Sequence, residues 1–254
     1  MKDIHSHILF DIDDGAESID ESIEILKDAI SNHYTDIILT PHYRKSQKFV
    51  ASNLKKLERF KELQEEVKKQ KIKINLYLGN EITVDEDLFY YLSVNEIMTL
   101  NNSRYLLLEL PFVGRIKYLD DFLEELLDKG YIPIIPHPER YKDYKEEDFR
   151  KWVSIGVLFQ GNMGSLYGNY GKKAKTKLEN MLKQHMIHFL GSDIHKSSQT
   201  TYEKDVIQVL DSLVKDHKMS LELTDLNIDK VIHNKEIKPY EVLKEEKKFK
   251  LFNR

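Results

Sequence analysis

Short apolar runs with strand character alternate with longer amphipathic runs with helical character along this 254-residue chain, and that alternation narrows the folds open to it. Seven runs read as strands, over residues 3–7, 36–40, 72–78, 105–110, 132–135, 157–159 and 187–190. Helical spacing fills the intervals. Ser18 and Glu21 match a capping box, and Ile19, Ile23, Leu26 and Ile30 then recur at helical period. A second helix is expected over 53–70, with Leu54, Leu57, Phe60, Leu63 and Val67 on one stripe. Further helices are expected over 119–129, 146–155 and 172–186. Repeated strand–helix units build a parallel sheet, either closed as a barrel or open and doubly wound. The glycine-rich segment 161–171 reads as a loop and lacks the GK[ST] ending of a phosphate-binding loop. No linker interrupts residues 1–254, so one domain is expected, with the charge-rich segment 241–254 as a terminal helix or tail.

The ends of these strands carry the chemistry. The first contains Asp3-Ile4-His5-Ser6-His7, where residues two apart project to the same side. The second ends in Thr40-Pro41-His42 and the third in Gly79-Asn80-Glu81. Glu109 lies on the fourth, Pro136-His137-Pro138-Glu139-Arg140 ends the fifth, and Gly191-Ser192-Asp193-Ile194-His195 ends the seventh. Six of seven strands thus deliver His, Asp or Glu near their carboxyl ends, the face where barrel enzymes build active sites. A single HxH or a single strand-end carboxylate is commonly incidental; their recurrence at one face is not.

Composition narrows the reaction. With no cysteine, a disulfide scaffold, a thiolate zinc site and a cysteine-nucleophile phosphatase are all excluded. Nitrogen and oxygen ligands suit manganese, iron or zinc, and more than four of them imply more than one ion. Carboxylates can bridge ions, which makes Glu81 and Glu109 the natural bridges. Such a cluster turns bound water into hydroxide and clamps phosphoryl oxygens. The net charge of −4 gives no sign of a nucleic-acid-binding surface. With charged and polar residues at positions 2, 3, 5, 6 and 7, no signal peptide is expected, and no apolar run approaches membrane-spanning length, so a cytoplasmic location is expected.

Taken in order, the segment 3–15 (Asp-Ile-His-Ser-His-Ile-Leu-Phe-Asp-Ile-Asp-Asp-Gly), Thr40-Pro41-His42, Pro136-His137-Pro138-Glu139-Arg140 and Ser192-Asp193-Ile194-His195 resemble the polymerase-and-histidinol-phosphatase (PHP) superfamily. Within it, the chain is similar to the CpsB/CapC-type bacterial manganese-dependent protein tyrosine phosphatases. The resemblance implies a distorted (β/α)7 TIM-like barrel around three divalent ions, most simply Mn2+. His5, His7, Glu81 and Asp193 would hold one ion; Glu81 would bridge to a second, shared with Glu109 and His137; Asp14, His42 and His195 would hold the third. The implied reaction is hydrolysis of phosphotyrosine by attack of metal-bound hydroxide, with Arg140 holding a phosphate oxygen. The implied partner is the tyrosine-rich tail of a cognate bacterial kinase controlling capsule or exopolysaccharide synthesis. A small-molecule phosphomonoesterase of the histidinol-phosphate type, or a metal-stabilised regulatory scaffold without turnover, are the competing readings.

One departure from the resemblance concerns substrate. Family members carry a second arginine about five residues after the last histidine, where this chain has Thr200. Lys196, Arg44 and Arg115 are the candidate substitutes. Asp11 and Asp13 flank Asp14 and either could replace it as ligand, while Asp3 reads as a supporting residue at the start of the strand. His33, His185, His188, His217 and His233 read as structural or surface histidines.

Overall fold

The computed structural model describes residues 1–198 and 205–243. Among them are nine short strands, every pair parallel: β1 Lys2–Asp3, β2 Asp36–Leu39, β3 His42–Tyr43, β4 Asn75–Leu78, β5 Glu81–Thr83, β6 Tyr105–Glu109, β7 Ile132–Pro136, β8 Leu158–Asn162 and β9 Phe189–Gly191. They occupy seven positions of one ring, because two positions are broken in the middle. Thr40-Pro41 separates β2 from β3, and Gly79-Asn80 separates β4 from β5. Pro41 has no N–H to offer a ladder, so pairing lapses there. The ladder then resumes with His42 in register with Glu81.

Beyond β1 and β9 the chain continues as irregular backbone, and this is where the ring closes. Asp193 N–H donates to the His5 carbonyl at 2.8 Å, and His7 N–H to the Ile194 carbonyl at 2.8 Å. Thr40 N–H donates to the Ser6 carbonyl at 2.8 Å on the other side. The expected first strand therefore forms a regular ladder only at residues 2 and 3, with an isolated bridge at Ser6.

Ile4, Ile38, Leu107, Ile134, Leu158 and Phe189 form a buried cluster with Ile228, Val231 and Ile232 of the helix Asn227–Ile232. One side chain from each of six ring positions packs over that helix, which closes the amino-terminal end of the barrel. Burying each of these side chains contributes about 1.5–3 kcal/mol. Around the ring lie α1 Ile19–Ser31, α2 Asn53–Lys69, α3 Leu88–Ser93, α4 Leu119–Asp128, α5 Glu146–Ile155, α6 Met163–Tyr167, α7 Gly171–Lys183, α8 Val206–Val214 and α9 His217–Leu221, with α10 the closing helix. Their inward stripes, such as Phe122, Leu123 and Leu126 of α4, fill the layer between helices and strands. No helix among the described residues is long and apolar enough to cross a membrane.

Two expectations need correction. The α2 stripe is rotated: Leu54 and Leu57 are 68% and 51% exposed, while Lys56, Leu63 and Val67 face inward. The segment 161–171 is not a plain loop, since it holds the end of β8 and the short α6, whose N-cap Asn162 accepts from Ser165 N–H. Of the segment expected as a terminal helix or tail, residues 241–243 are non-helical and 244–254 lie outside the described residues.

Candidate metal centre

Period-two alternation carries the buried side of each strand out to the open end of the ring. Leu107 leads to Glu109 on β6, and Leu158 leads to Gln160 and Asn162 on β8. Two candidate ligands sit in left-handed backbone just past a strand, His137 at φ 38° and Asp193 at φ 53°. Residues other than glycine populate that conformation sparsely, so the fold holds both side chains in place against a local cost.

All nine expected ligands meet at this end. The potential ligand atoms of His7, Asp14, His42 and His195 lie within 4.8 Å of one another, as do those of His5, His7 and Glu81, and those of His42, Glu81 and Glu109. Glu81 is the hub. Its Oε2 stands 3.4 Å from both His5 Nε2 and His7 Nε2 and 2.8 Å from His42 Nδ1, and its Oε1 is 3.0 Å from His137 Nε2. Asp193 Oδ1 is 3.5 Å from His5 Nε2 and from His7 Nε2. His42 straddles two groups, with Nε2 3.5 Å from Asp14.

These residues fit divalent cations. Glu81 Oε2 has no hydrogen bond although three imidazole nitrogens surround it, and buried His137 Nδ1 also lacks one. Buried polar atoms are rarely left so. His5 Nε2 and His7 Nε2 face each other at 3.1 Å, an approach that suits two lone pairs aimed at a shared cation.

Supporting groups set the tautomers. Asp13 Oδ2 accepts from His7 Nδ1 at 2.7 Å and from His42 N–H at 2.7 Å. Gln160 Oε1 accepts from His5 Nδ1 at 2.8 Å, and the Asp193 carbonyl from His195 Nδ1 at 2.9 Å. Each bond fixes the proton on Nδ1 and turns Nε2 to the centre. Asp13 thus serves as orienting group, Asp14 faces the centre, and Asp11 turns outward to Lys55 and Arg59. A side chain at Gly15 would lie 2.1 Å from the His7 carbonyl, so this tight loop admits only glycine. Asp3 accepts from Ser192 Oγ at 2.5 Å and stitches β1 to the end of β9.

Charge in the centre is strongly correlated. Burial opposes ionisation of Glu81, yet His5 and His42 outweigh it and hold the carboxyl well below its usual range. Burial likewise opposes protonation of His7, but Asp13 prevails and raises it. Burial, then the Glu81 charge, raises Glu109, while burial and His7 push His195 down to about 4.

The expected substrate-binding residues divide. Arg140 lies at the rim, with Nη1 2.9 Å from Asp193 and its guanidinium 4.7 Å from the Phe112 ring and 4.2 Å from the Tyr170 ring. Arg44 pairs with Glu109 inside the centre and donates through Nε to Thr83 at 3.0 Å. Arg115 makes a bidentate pair with Asp148 at 2.7 and 2.8 Å and stacks on Tyr144. Lys196 Nζ donates to the Gly15 carbonyl and to Glu17 at 2.7 and 2.8 Å. Thr200 lies outside the described residues. Gln160 and Asn162, which donates to Asp193 at 2.9 Å, were invisible as site residues because β8 offers no His, Asp or Glu. Of the other histidines, His188 is buried against Tyr240, His33 and His185 occupy left-handed turns, and His217 and His233 are exposed.

Residues 1–232 match the family described as Capsular polysaccharide synthesis, CpsB/CapC. The chain is 34% identical over 251 residues to CapC of Staphylococcus aureus, with 94% of this chain and 97% of that protein covered. It is 31% identical over 214 residues to the tyrosine-protein phosphatase YwqE of Bacillus subtilis, covering 83% of this chain and 84% of the relative. Crystal structures of YwqE from Bacillus subtilis and CpsB from Streptococcus pneumoniae, described as metal-dependent tyrosine phosphatases, include one with TM-score 0.87 and 29% identity, covering 96% of this chain and 100% of that one.

Proposed function

The chain belongs to the CpsB/CapC capsular polysaccharide synthesis family, and from that premise we propose that it is a metal-dependent protein tyrosine phosphatase acting in capsule or exopolysaccharide regulation. The observation that carries this reading is the convergence of His and carboxylate side chains from six ring positions on Glu81 and its neighbours. His5, His7, Asp14, His42, Glu81, Glu109, His137, Asp193 and His195 would hold three divalent ions, most simply Mn2+. When bound, such ions activate water as a nucleophile and neutralise phosphoryl charge.

The chain's own groups do the rest. Asp13, Gln160 and the Asp193 carbonyl keep three imidazoles in the binding tautomer before any ion arrives. Arg140, held between two rings, presents planar donors at the rim to a phosphate oxygen. Phe112, stacked on His137 at 5.4 Å, gives the phenyl ring of the substrate an apolar wall. The protein substrate in this reading is the tyrosine-rich tail of a cognate kinase.

Chelation is expected to abolish hydrolysis of a phosphotyrosyl peptide by the purified chain, and Mn2+ to restore it in wild type but not in His137→Ala. A metal-loaded chain that leaves phosphotyrosine intact would sink the reading. Hydrolysis of histidinol phosphate instead would move the function to small phosphate esters, and tight metal binding without turnover would favour a scaffold.

A further inference from the structure

A cavity of about 840 Å3 opens beside the metal centre and shares Arg140 with it. Its walls include Phe112, Lys142, Tyr170, Lys173 and Lys177. Four of its lining residues are cationic and only Glu139 is acidic, in a chain whose net charge is −4. Glu139 is itself buried and accepts from Asn162 N–H at 3.1 Å, and its charge acts on the half-buried Lys177, which leaves Lys142 and Lys173 as the exposed cations of the rim.

The lysines are also distinguished by what they lack. Lys151 on α5 pairs with Asp120, and Lys175 on α7 with Glu179. Among the described residues, Lys142 and Lys173 are exposed and make no ion pair. Lys177 is half-buried, donates to the Tyr141 carbonyl at 2.9 Å and makes none either. Unpaired cations around a concave, partly aromatic wall attract an anionic segment, and charge complementarity raises both encounter rate and selectivity.

We propose that this cavity docks carboxylate side chains of the substrate polypeptide flanking the phosphotyrosine, with Lys142 and Lys173 as the selecting charges. The proposal rests on the phosphatase reading for its placement of the phosphotyrosine at the neighbouring centre. A concave groove continuous with Arg140 suits an extended peptide better than the flat plane of a membrane surface.

Binding tests the groove separately from catalysis. Fluorescein-labelled peptides carrying a non-hydrolysable phosphonate analogue of phosphotyrosine would be titrated against the Mn2+-loaded full chain. One peptide has Glu at the flanking positions and its match has Lys. Wild type is expected to bind the Glu peptide at least about tenfold more tightly, and added salt should erode the preference. In the double variant Lys142→Glu, Lys173→Glu the ratio should fall to about one or invert. Both positions are exposed, and circular dichroism would verify the fold. A wild-type ratio near one overturns the proposal, as does a preference that survives unchanged in the double variant. Anionic vesicles that bind wild type but not the variant, with no peptide preference, would also overturn it in favour of a membrane surface. Hydrolysis of p-nitrophenyl phosphate, measured in parallel, reports on the phosphatase reading alone.

Discussion

Lys56, almost wholly buried on α2, donates from Nζ to Asn80 Oδ1 at 2.7 Å. Asn80 in turn donates from Nδ2 to the Pro41 carbonyl at 2.7 Å and accepts from Met98 N–H at 3.0 Å. One amide therefore spans both strand breaks and replaces ladder bonds lost at Pro41, immediately beside His42 and Glu81. Burial lowers the Lys56 amine to about 7. The unfolded chain binds this proton up to about pH 10.5 and the folded chain does not, so folding stability should rise with pH between those limits. Below about pH 7 the penalty is present in full. Urea midpoints at pH 7 and pH 10 should therefore rise more steeply for wild type than for Lys56→Met, by a few kcal/mol at most. Parallel curves would show that the amine is charged when folded.

Asp13→Asn should separate orientation from ligation. The amide can still accept from His42 N–H, but it no longer fixes His7 in one tautomer by charge. Metal affinity measured by calorimetry, and Mn2+-supported hydrolysis, should each fall about 10–100-fold with little loss of thermal stability. Wild-type affinity would remove Asp13 from the supporting shell.

Arg140→Lys keeps the charge and loses the planar fork that sits between Phe112 and Tyr170. A fall of about 10²-fold in kcat on a phosphotyrosyl peptide is expected, with metal content unchanged by elemental analysis. An undiminished kcat would mean that Arg140 does not meet the phosphate.

His188 accepts from Phe159 N–H at 3.1 Å and stacks on Tyr240 at 5.2 Å, far from water. Burial pushes its imidazole down to about 3. As pH falls below about 6.5 the unfolded chain takes up a proton that the folded chain refuses, so stability is lost down to about pH 3, at about 1.4 kcal/mol per pH unit at most. His188→Gln should lose stability less steeply over that window; equal slopes for the two proteins would contradict the assignment.

The residues that converge on Glu81 were legible because ligand chemistry at a strand end is a local signal: His5 with His7, Asp193 with His195, and His42 after Pro41 can each be read within a few residues. Their supports were not. Gln160 becomes informative only once β8 is known to lie beside β9, and Asn80 only once two separate breaks are seen to face each other. The pairing of Arg115 was hidden for the same reason, since its partner Asp148 belongs to a different ring unit. The α2 stripe held at Leu63 and Val67 but not at Leu54 and Leu57, because tertiary packing overrode periodicity in the first turns, where a lysine with a fixed acceptor faces inward.

The closing of the ring between β1 and β9 has a consequence for how the chain acquires its form. Ile4 packs on a floor supplied by α10, and His5 and His7 are fastened by Asp193 and Ile194 some 190 residues later. Contacts so distant in sequence are entropically costly to form and slow the search for the native state. During synthesis the first histidines would wait, exposed and unpaired, until nearly the whole barrel had left the ribosome. A cation captured early by that open histidine pair would hold few of its final ligands, so completion of the cluster is coupled to the last stage of folding.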